Sequence, residues 1–202
     1  MVRGGLVRRR MKPIRTARLV LRKFVPADAS RIARLLGDPR VATMMADIAL
    51  PFDERPATQW MKSGWGDLRL CIERDGESIG AVSYHVYIGG QAGIGYWLGH
   101  PYWGHGYAFE AASTVVRNAL TYDRVQMFTS GHFADNLASG KILTRLGFTP
   151  HGRRPLWCAA RHEVVDSIAY HLTRTTAGFG PKRRSWAGVL GFHPVFNGWT
   201  SA

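Results

Sequence analysis

Apolar and polar positions follow two rhythms along this chain, and the switches between them mark its elements. Arg18–Phe24 reads RLVLRKF, apolar and basic by turns, the period of a half-buried strand. Pro26, Ala27 and Asp28 then open a short helix carrying Ile32, Leu35 and Leu36 on one face, closed by Gly37 and Pro39. A second helix starts at Asp53 and Glu54 and turns Ala57, Trp60 and Met61 inward. Leu68–Arg74 and Ser78–Tyr87 flank Asp75-Gly76, a strong signal for a hairpin with a tight type I′ turn. Past a glycine break at Gly89-Gly90, Ile94–Leu98 reads as a further strand.

The stretch from His100 to Tyr122 is the most informative. Ala112, Val115, Val116, Ala119 and Leu120 recur at i, i+3, i+4, i+7 and i+8, which predicts a helix with one apolar face packed on a sheet. Val125–Phe133 reads as a strand and Asn136–Leu146 as a helix ended by Gly147. Leu156–Ala159 and Val164–Leu172 form a closing hairpin. Strands alternating with helices, with hairpins at both ends, imply a mixed α/β sheet. The chain divides into a basic arm (1–13), one domain (14–174) and an extension (175–202) rich in glycine and aromatic residues without periodicity. Phe179, Trp186, Phe192, Phe196 and Trp199 are too apolar to stay solvated comfortably, so the extension is expected to pack on the domain or on the mate of a homodimer.

Composition narrows the function classes. At 202 residues and 46% hydrophobic the chain suits one domain with a sizeable core. No apolar run approaches the ~18 residues of a membrane span. The first thirteen residues lack the apolar stretch of a secretory signal, so the protein is read as cytoplasmic, with Met11 as an alternative start. Cys71 and Cys158 lie far apart without a metal-ligand spacing; they are expected to be buried reduced thiols, and no metal is expected. Of the net charge of +13, residues 1–12 hold five and residues 175–202 hold three, which leaves +5 for the domain. A modestly basic domain suits an anionic cofactor as well as it suits RNA, and the basic termini keep a contact with nucleic acid or the ribosome open.

Between the strand at Ile94–Leu98 and the amphipathic helix lies His100-Pro101-Tyr102-Trp103-Gly104-His105-Gly106-Tyr107-Ala108. A helix start carries unpaired N–H groups and a partial positive charge, and glycines let an anion approach the backbone. A glycine turn that merely caps a helix reads equally well. Two rival phosphate loops fail on the letters. No Gly-Lys-Ser/Thr follows, and Phe109 stands where a dinucleotide fingerprint needs its third glycine. In the later helix Asn136 and Ser139 share a face, either as a cap with a solvated serine or as ligand contacts beside the glycine loop.

Taken together these segments resemble the GNAT superfamily of N-acetyltransferases, in its RimJ/RimL-like branch of ribosomal-protein N-terminal acetyltransferases. The resemblance rests on Thr16-Ala17-Arg18-Leu19-Val20-Leu21-Arg22, Gly95-Tyr96-Trp97-Leu98, Trp103–Ala108 with Glu110-Ala111, Asn136-Leu137-Ala138-Ser139 and Leu146-Gly147-Phe148. Asp166, Tyr170 and Leu172 in the last strand fit the same branch. It implies a GNAT fold in which Ile94–Leu98 and Val125–Phe133 run parallel and splay apart. Acetyl-CoA is then the acyl donor, its pantetheine against the backbone of Tyr96, Trp97 and Leu98. Its pyrophosphate lies on the amides of Trp103, Gly104, His105, Gly106, Tyr107 and Ala108. The superfamily's pyrophosphate motif maps onto Trp103, Gly106 and Ala108, with Trp103 in place of the usual arginine or glutamine. Asn136 and Ser139 would face the thioester, and Lys141 is in reach of the 3′-phosphate.

The reaction so implied is direct attack of an amine, from a protein N-terminus or a small molecule, on the thioester in a ternary complex. An α-amine, with a pKa near ~7.7–8.0, is partly neutral already; a lysine near ~10.4 needs more help. The chain departs from its relatives at the proton-transfer positions. Leu143 stands where many carry a tyrosine acid, which leaves Ser139 to serve the leaving sulfur. Gly131 and Gly93 stand where glutamates are usual, which leaves His132 as candidate base, with Asp135 and His85 as further titratable groups. Glu110, in a first helical turn, reads as structural. The lost carboxylates also support a second class, a non-catalytic acyl-CoA-binding or RNA-associated module on the same fold.

Overall fold

The computed structural model describes residues 12–62, 68–87, 89–122 and 125–178. The predicted arm up to Met11 and the aromatic residues of the extension from Phe179 onward lie outside the described residues. Among these residues eight strands form one mixed sheet: β1 (Ile14–Arg15), β2 (Val20–Arg22), β3 (Leu68–Arg74), β4 (Glu77–Val86), β5 (Gln91–Leu98), β6 (Met127–Phe133), β7 (Thr149–Cys158) and β8 (Glu163–Thr173). Their order is β1-β2-β3-β4-β5-β6-β8-β7. The β5–β6 pairing is parallel and the others are antiparallel. Among the described residues five α-helices flank the sheet: α1 (Ala29–Leu36), α2 (Pro39–Ala42), α3 (Glu54–Lys62), α4 (Tyr107–Tyr122) and α5 (Leu137–Arg145).

The β3–β4 hairpin turns at Asp75 and Gly76, both at positive φ (51° and 81°), as a type I′ turn requires. The apolar stripe of α4 is buried along its length, from Ala112 to Leu120. It packs with Ile94, Tyr96, Leu98 and Phe128 on one face of the sheet, where Leu143 of α5 joins it. The opposite face carries α1, the turn after α2, and α3, with Ile32, Leu36, Val41, Ile48, Ala57 and Trp97 as its core. Alternation along β5 therefore sends Tyr96 to the α4 face and Trp97 to the α1–α3 face. Both cysteines are buried and unpaired.

Three elements differ from the sequence expectation. Pro39 opens α2 rather than closing α1, because Asp38 caps the new helix by accepting from the Arg40 amide. The strand expected from Leu156 begins at Thr149 instead. Its first half is exposed and contains Pro150, Gly152 and Pro155, a composition that reads as loop. As the last strand of the sheet it pairs only with β8, and an edge tolerates prolines that a central strand would not. The two-residue β1 is too short to leave a periodic signal.

Candidate functional site

The parallel pairing of β5 and β6 covers Gln91 with Met127, Ala92 with Phe128 and Gly93 with Thr129. Beyond Gly93, β5 runs on to Leu98 and β6 to Phe133, and the strands part. Just past the last pair, Ser130 Oγ donates to the Ile94 carbonyl at 3.0 Å. At the open end the Trp103 indole donates to the Leu98 carbonyl at 2.7 Å. Tyr87 N donates to Gln91 O, which turns the odd-numbered backbone groups of β5 toward β4. The even-numbered ones, Tyr96 included, therefore aim into the gap. A wedge-shaped cleft results, with the Tyr96 amide and carbonyl along one wall.

At the mouth of the wedge lies the glycine loop. Gly104 and Gly106 both sit at φ 78°, a conformation that side chains resist, and Gly106 O accepts the Glu110 N–H at 3.1 Å. Gly106 is thus the cap of α4, and the amides that follow it form the unpaired start of the helix. Two guanidinium groups flank this helix start. Those of Arg18 and Arg74 lie 4.6 and 4.9 Å from the centroid of the Tyr107 ring. Arg18 also donates through Nη1 to the His105 carbonyl at 3.0 Å and through Nε to Glu110 at 2.8 Å. His105 stacks on Tyr107 and is held by the Trp103 carbonyl at 2.7 Å. Each guanidinium is also paired with a carboxylate, Arg18 with Glu110 and Arg74 with Asp75 at 3.1 Å, so the helix start offers unpaired amides with two ion pairs beside them.

At the other wall, Asn136 caps α5 by accepting the Ser139 amide at 3.1 Å. This places Ser139, 6% exposed, against Tyr96, whose hydroxyl is 3.2 Å from Ser139 Oγ and 3.3 Å from its carbonyl. Burial pushes the Tyr96 phenol well above its ordinary range, more than the Ser139 hydrogen bond lowers it, so it stays protonated. His132, 2% exposed, lies under the same helix. Its Nδ1 is 2.7 Å from the Phe133 carbonyl, and its Nε2 faces Tyr170 Oη at 3.5 Å and the backbone of Gly140. Both nitrogens therefore have protein neighbours. Asp135 is held by Arg161 at 2.6 Å, and Lys141 is exposed on α5. Trp97 turns away from the wedge and meets Trp60 edge-on, with ring centroids 5.8 Å apart.

The wedge thus collects Tyr96, Leu98, Trp103, the glycine loop and Ser139. Sequence reasoning missed three contributions: the side chain of Tyr96, the reach of Arg18 to the loop, and Tyr170 beside His132. Arg18 stood in a recognised motif, but its contact with Glu110 spans 92 positions and leaves no local pattern. Among the described residues, no group of three or more His, Cys, Asp or Glu is placed to hold a metal ion, and no helix is long and apolar enough to cross a membrane.

A family model for the acetyltransferase (GNAT) domain matches residues 18–149. The chain belongs to the GNAT acetyltransferases. It is similar to the uncharacterized N-acetyltransferase p20 of Bacillus licheniformis, 26% identical over 175 residues that cover 81% of this chain and 97% of the relative. Among solved structures it is similar to a GNAT-family acetyltransferase from Bacillus anthracis (TM-score 0.70, 20% identity, 81% of this chain and 99% of that one). It is also similar to RimL, the ribosomal L7/L12 alpha-N-protein acetyltransferase, solved with coenzyme A (TM-score 0.69, 18% identity, 80% and 98%). At these identities the two structures speak for the fold, which is the mixed α/β GNAT architecture with splayed β5 and β6. The protein is an N-acetyltransferase of the GNAT family that draws on acetyl-CoA.

Proposed function

We propose that this GNAT enzyme transfers the acetyl group of acetyl-CoA to a primary amine in one ternary complex, and that the α-amine of a protein N-terminus is the first acceptor class to test. The observation that carries the reading is the parting of β5 from β6 beyond Gly93, with the glycine loop at Gly104–Tyr107 after the end of β5 and the Tyr96–Ser139 pair beside it. Its parts fit acetyl-CoA. The amides after Gly106, with Arg18 and Arg74 beside them, suit the pyrophosphate; the backbone edge at Tyr96 suits the amides of pantetheine; and exposed Lys141 suits the 3′-phosphate. Bound there, acetyl-CoA supplies the acyl thioester. Ser139 then donates its hydroxyl proton to the departing sulfur, and the protonated Tyr96 phenol sustains that donor. The Tyr96 amide, aimed into the gap, serves the oxygen that gathers negative charge.

An α-amine is preferred over a lysine because no carboxylate stands at Gly93 or Gly131. An acceptor with a pKa near ~7.7–8.0 asks less of a site without one. Equilibrium titration with acetyl-CoA, parent beside Gly106→Trp, tests the donor site. Micromolar binding by the parent, lost in the variant, is expected; no binding by the folded parent overturns the proposal. CoA release on addition of N-terminal peptides, compared with lysine amides, tests the acceptor class.

A further inference from the structure

On the α1–α3 face of the sheet, the strands carry glycines where β5 and β6 begin to part. β5 presents Gly93 and Gly95 there, and β6 presents Gly131. Register places His85, Gly93, Thr129 and His171 in one row across β4, β5, β6 and β8, level with the last β5–β6 pair. The row crosses the apex of the wedge, on the face opposite Tyr96 and Ser139.

The space above Gly93 is filled from elsewhere. A Cβ at this position would stand 2.8 Å from Tyr87 Oη and 3.4 Å from Tyr87 Cε2. The Tyr87 ring thus occupies the volume of the side chain that residue 93 lacks. Tyr87 is 43% exposed, so the phenol is a surface group that reaches over the apex. Its ring meets His85 edge-on at 4.9 Å. His85 Nδ1 is buried and has no hydrogen-bond partner in the protein. A polar atom left so costs about 1–3 kcal/mol and asks for an explanation.

Resting on the function proposed above, we propose that His85 takes the proton that the acceptor ammonium must lose, and that Tyr87 Oη holds that amine over Gly93. The pair stands in for the carboxylate that neither Gly93 nor Gly131 supplies. The ammonium N–H bond breaks and the proton goes to Nε2 of His85, since Nδ1 is sealed inside the protein. The freed lone pair forms the N–C bond as the C–S bond breaks, leaving its electrons on sulfur. Ser139 protonates the sulfur and is restored by the second proton shed from the new amide. Proton removal and proton donation thus work from opposite faces of the sheet, joined only through the wedge. Among the charged groups on this side, Arg154 of β7 opposes with its charge the upward shift that burial gives the Tyr87 phenol, and Arg69 of β3, opposite Ser83, feels the charge of Asp47. His171 lies farther along the row.

The test compares the parent with His85→Gln, Tyr87→Phe and Gly93→Ala, using acetyl-CoA titration, melting temperature, histidine-resolved NMR titration and the pH profile of kcat/KM for an N-terminal peptide. All four are expected to bind acetyl-CoA alike and to melt alike. In the parent, the acidic limb of kcat/KM should follow the His85 pKa read by NMR. His85→Gln should lose that limb and about 10²-fold in kcat/KM. Tyr87→Phe and Gly93→Ala, the latter by pushing the phenol aside, should raise KM for the amine about five- to tenfold, one hydrogen bond's worth. A His85→Gln enzyme that keeps its rate, or a limb that ignores the His85 pKa, overturns the assignment. A parent that fails to bind acetyl-CoA overturns the function itself, and this assignment with it.

Discussion

The hydroxyl of Tyr96 lies 3.2 Å from Ser139 Oγ, joining β5 to the first turn of α5 across the wedge. Two residues 43 positions apart thus form one buried hydroxyl pair, with the phenol held protonated by its surroundings. Ser139→Ala should lower kcat by about 10²-fold, the usual worth of a positioned acid. Acetyl-CoA affinity should stay near that of the parent. Tyr96→Phe should have a smaller effect on kcat, because Ser139 remains, and cost about 1 kcal/mol of stability. Steady-state CoA release, titration calorimetry and urea denaturation separate these effects.

Glu110 ties the turn between β1 and β2 to the glycine loop. It accepts from Thr16 Oγ1 at 2.5 Å, the Arg18 amide at 2.9 Å and Arg18 Nε at 2.8 Å. Burial raises its carboxyl pKa, but these donors outweigh it and hold the group below the usual carboxylate range. Arg18→Ala should weaken acetyl-CoA binding about tenfold, with an effect that shrinks as salt screens it. Glu110→Ala should weaken binding similarly and also cost about 1–3 kcal/mol, since it strands its donors. Titrations at low and high salt, with parallel denaturation curves, check both.

Gly140 is a packing glycine. A Cβ there would stand 2.7 Å from His132 Nε2, and the imidazole is buried between α5, Phe133 and Tyr170. Gly140→Ala should destabilise by about 1–3 kcal/mol, the cost of overfilling a packed interior. The double variant Gly140→Ala/His132→Ala should recover part of that loss. Thermal melts of the four proteins in the cycle test it.

Asp28 anchors the far edge of the sheet. It is 6% exposed, accepts from both Nη atoms of Arg22 at 2.8 Å and from the Val25 amide at 2.8 Å, and is also bonded by Ser78. Burial favours its neutral form, but the donors prevail and its pKa is lowered. Its contribution to stability is therefore complete above the unfolded value of about 3.9 and is lost as pH falls through the lower folded value. Asp28→Asn should cost about 3 kcal/mol at neutral pH and flatten the acid limb of stability below about pH 4. Urea midpoints measured from pH 7 down to pH 3 show whether the limb flattens.

Local order was legible in the letters. Asp75-Gly76 announced its hairpin because only a few residues accept two successive positive φ angles, and the stripe from Ala112 to Leu120 announced α4 because one face of a helix must be apolar to be buried. The glycine loop was legible for the same reason, as a backbone requirement written in adjacent residues. The exposed half of β7 was not, since its strand state is conferred by pairing with β8 rather than by its own composition. Nor were the pairs that line the candidate site. Tyr96 meets Ser139, Arg18 meets Glu110, and Tyr87 covers Gly93 while touching His85. Each depends on strand register and on which face a helix lies, and these are settled only when distant segments close on one another. By itself the sequence determined which segments could be helix, strand and glycine loop; the packed sheet decided which side chains share a row and which face each other across it.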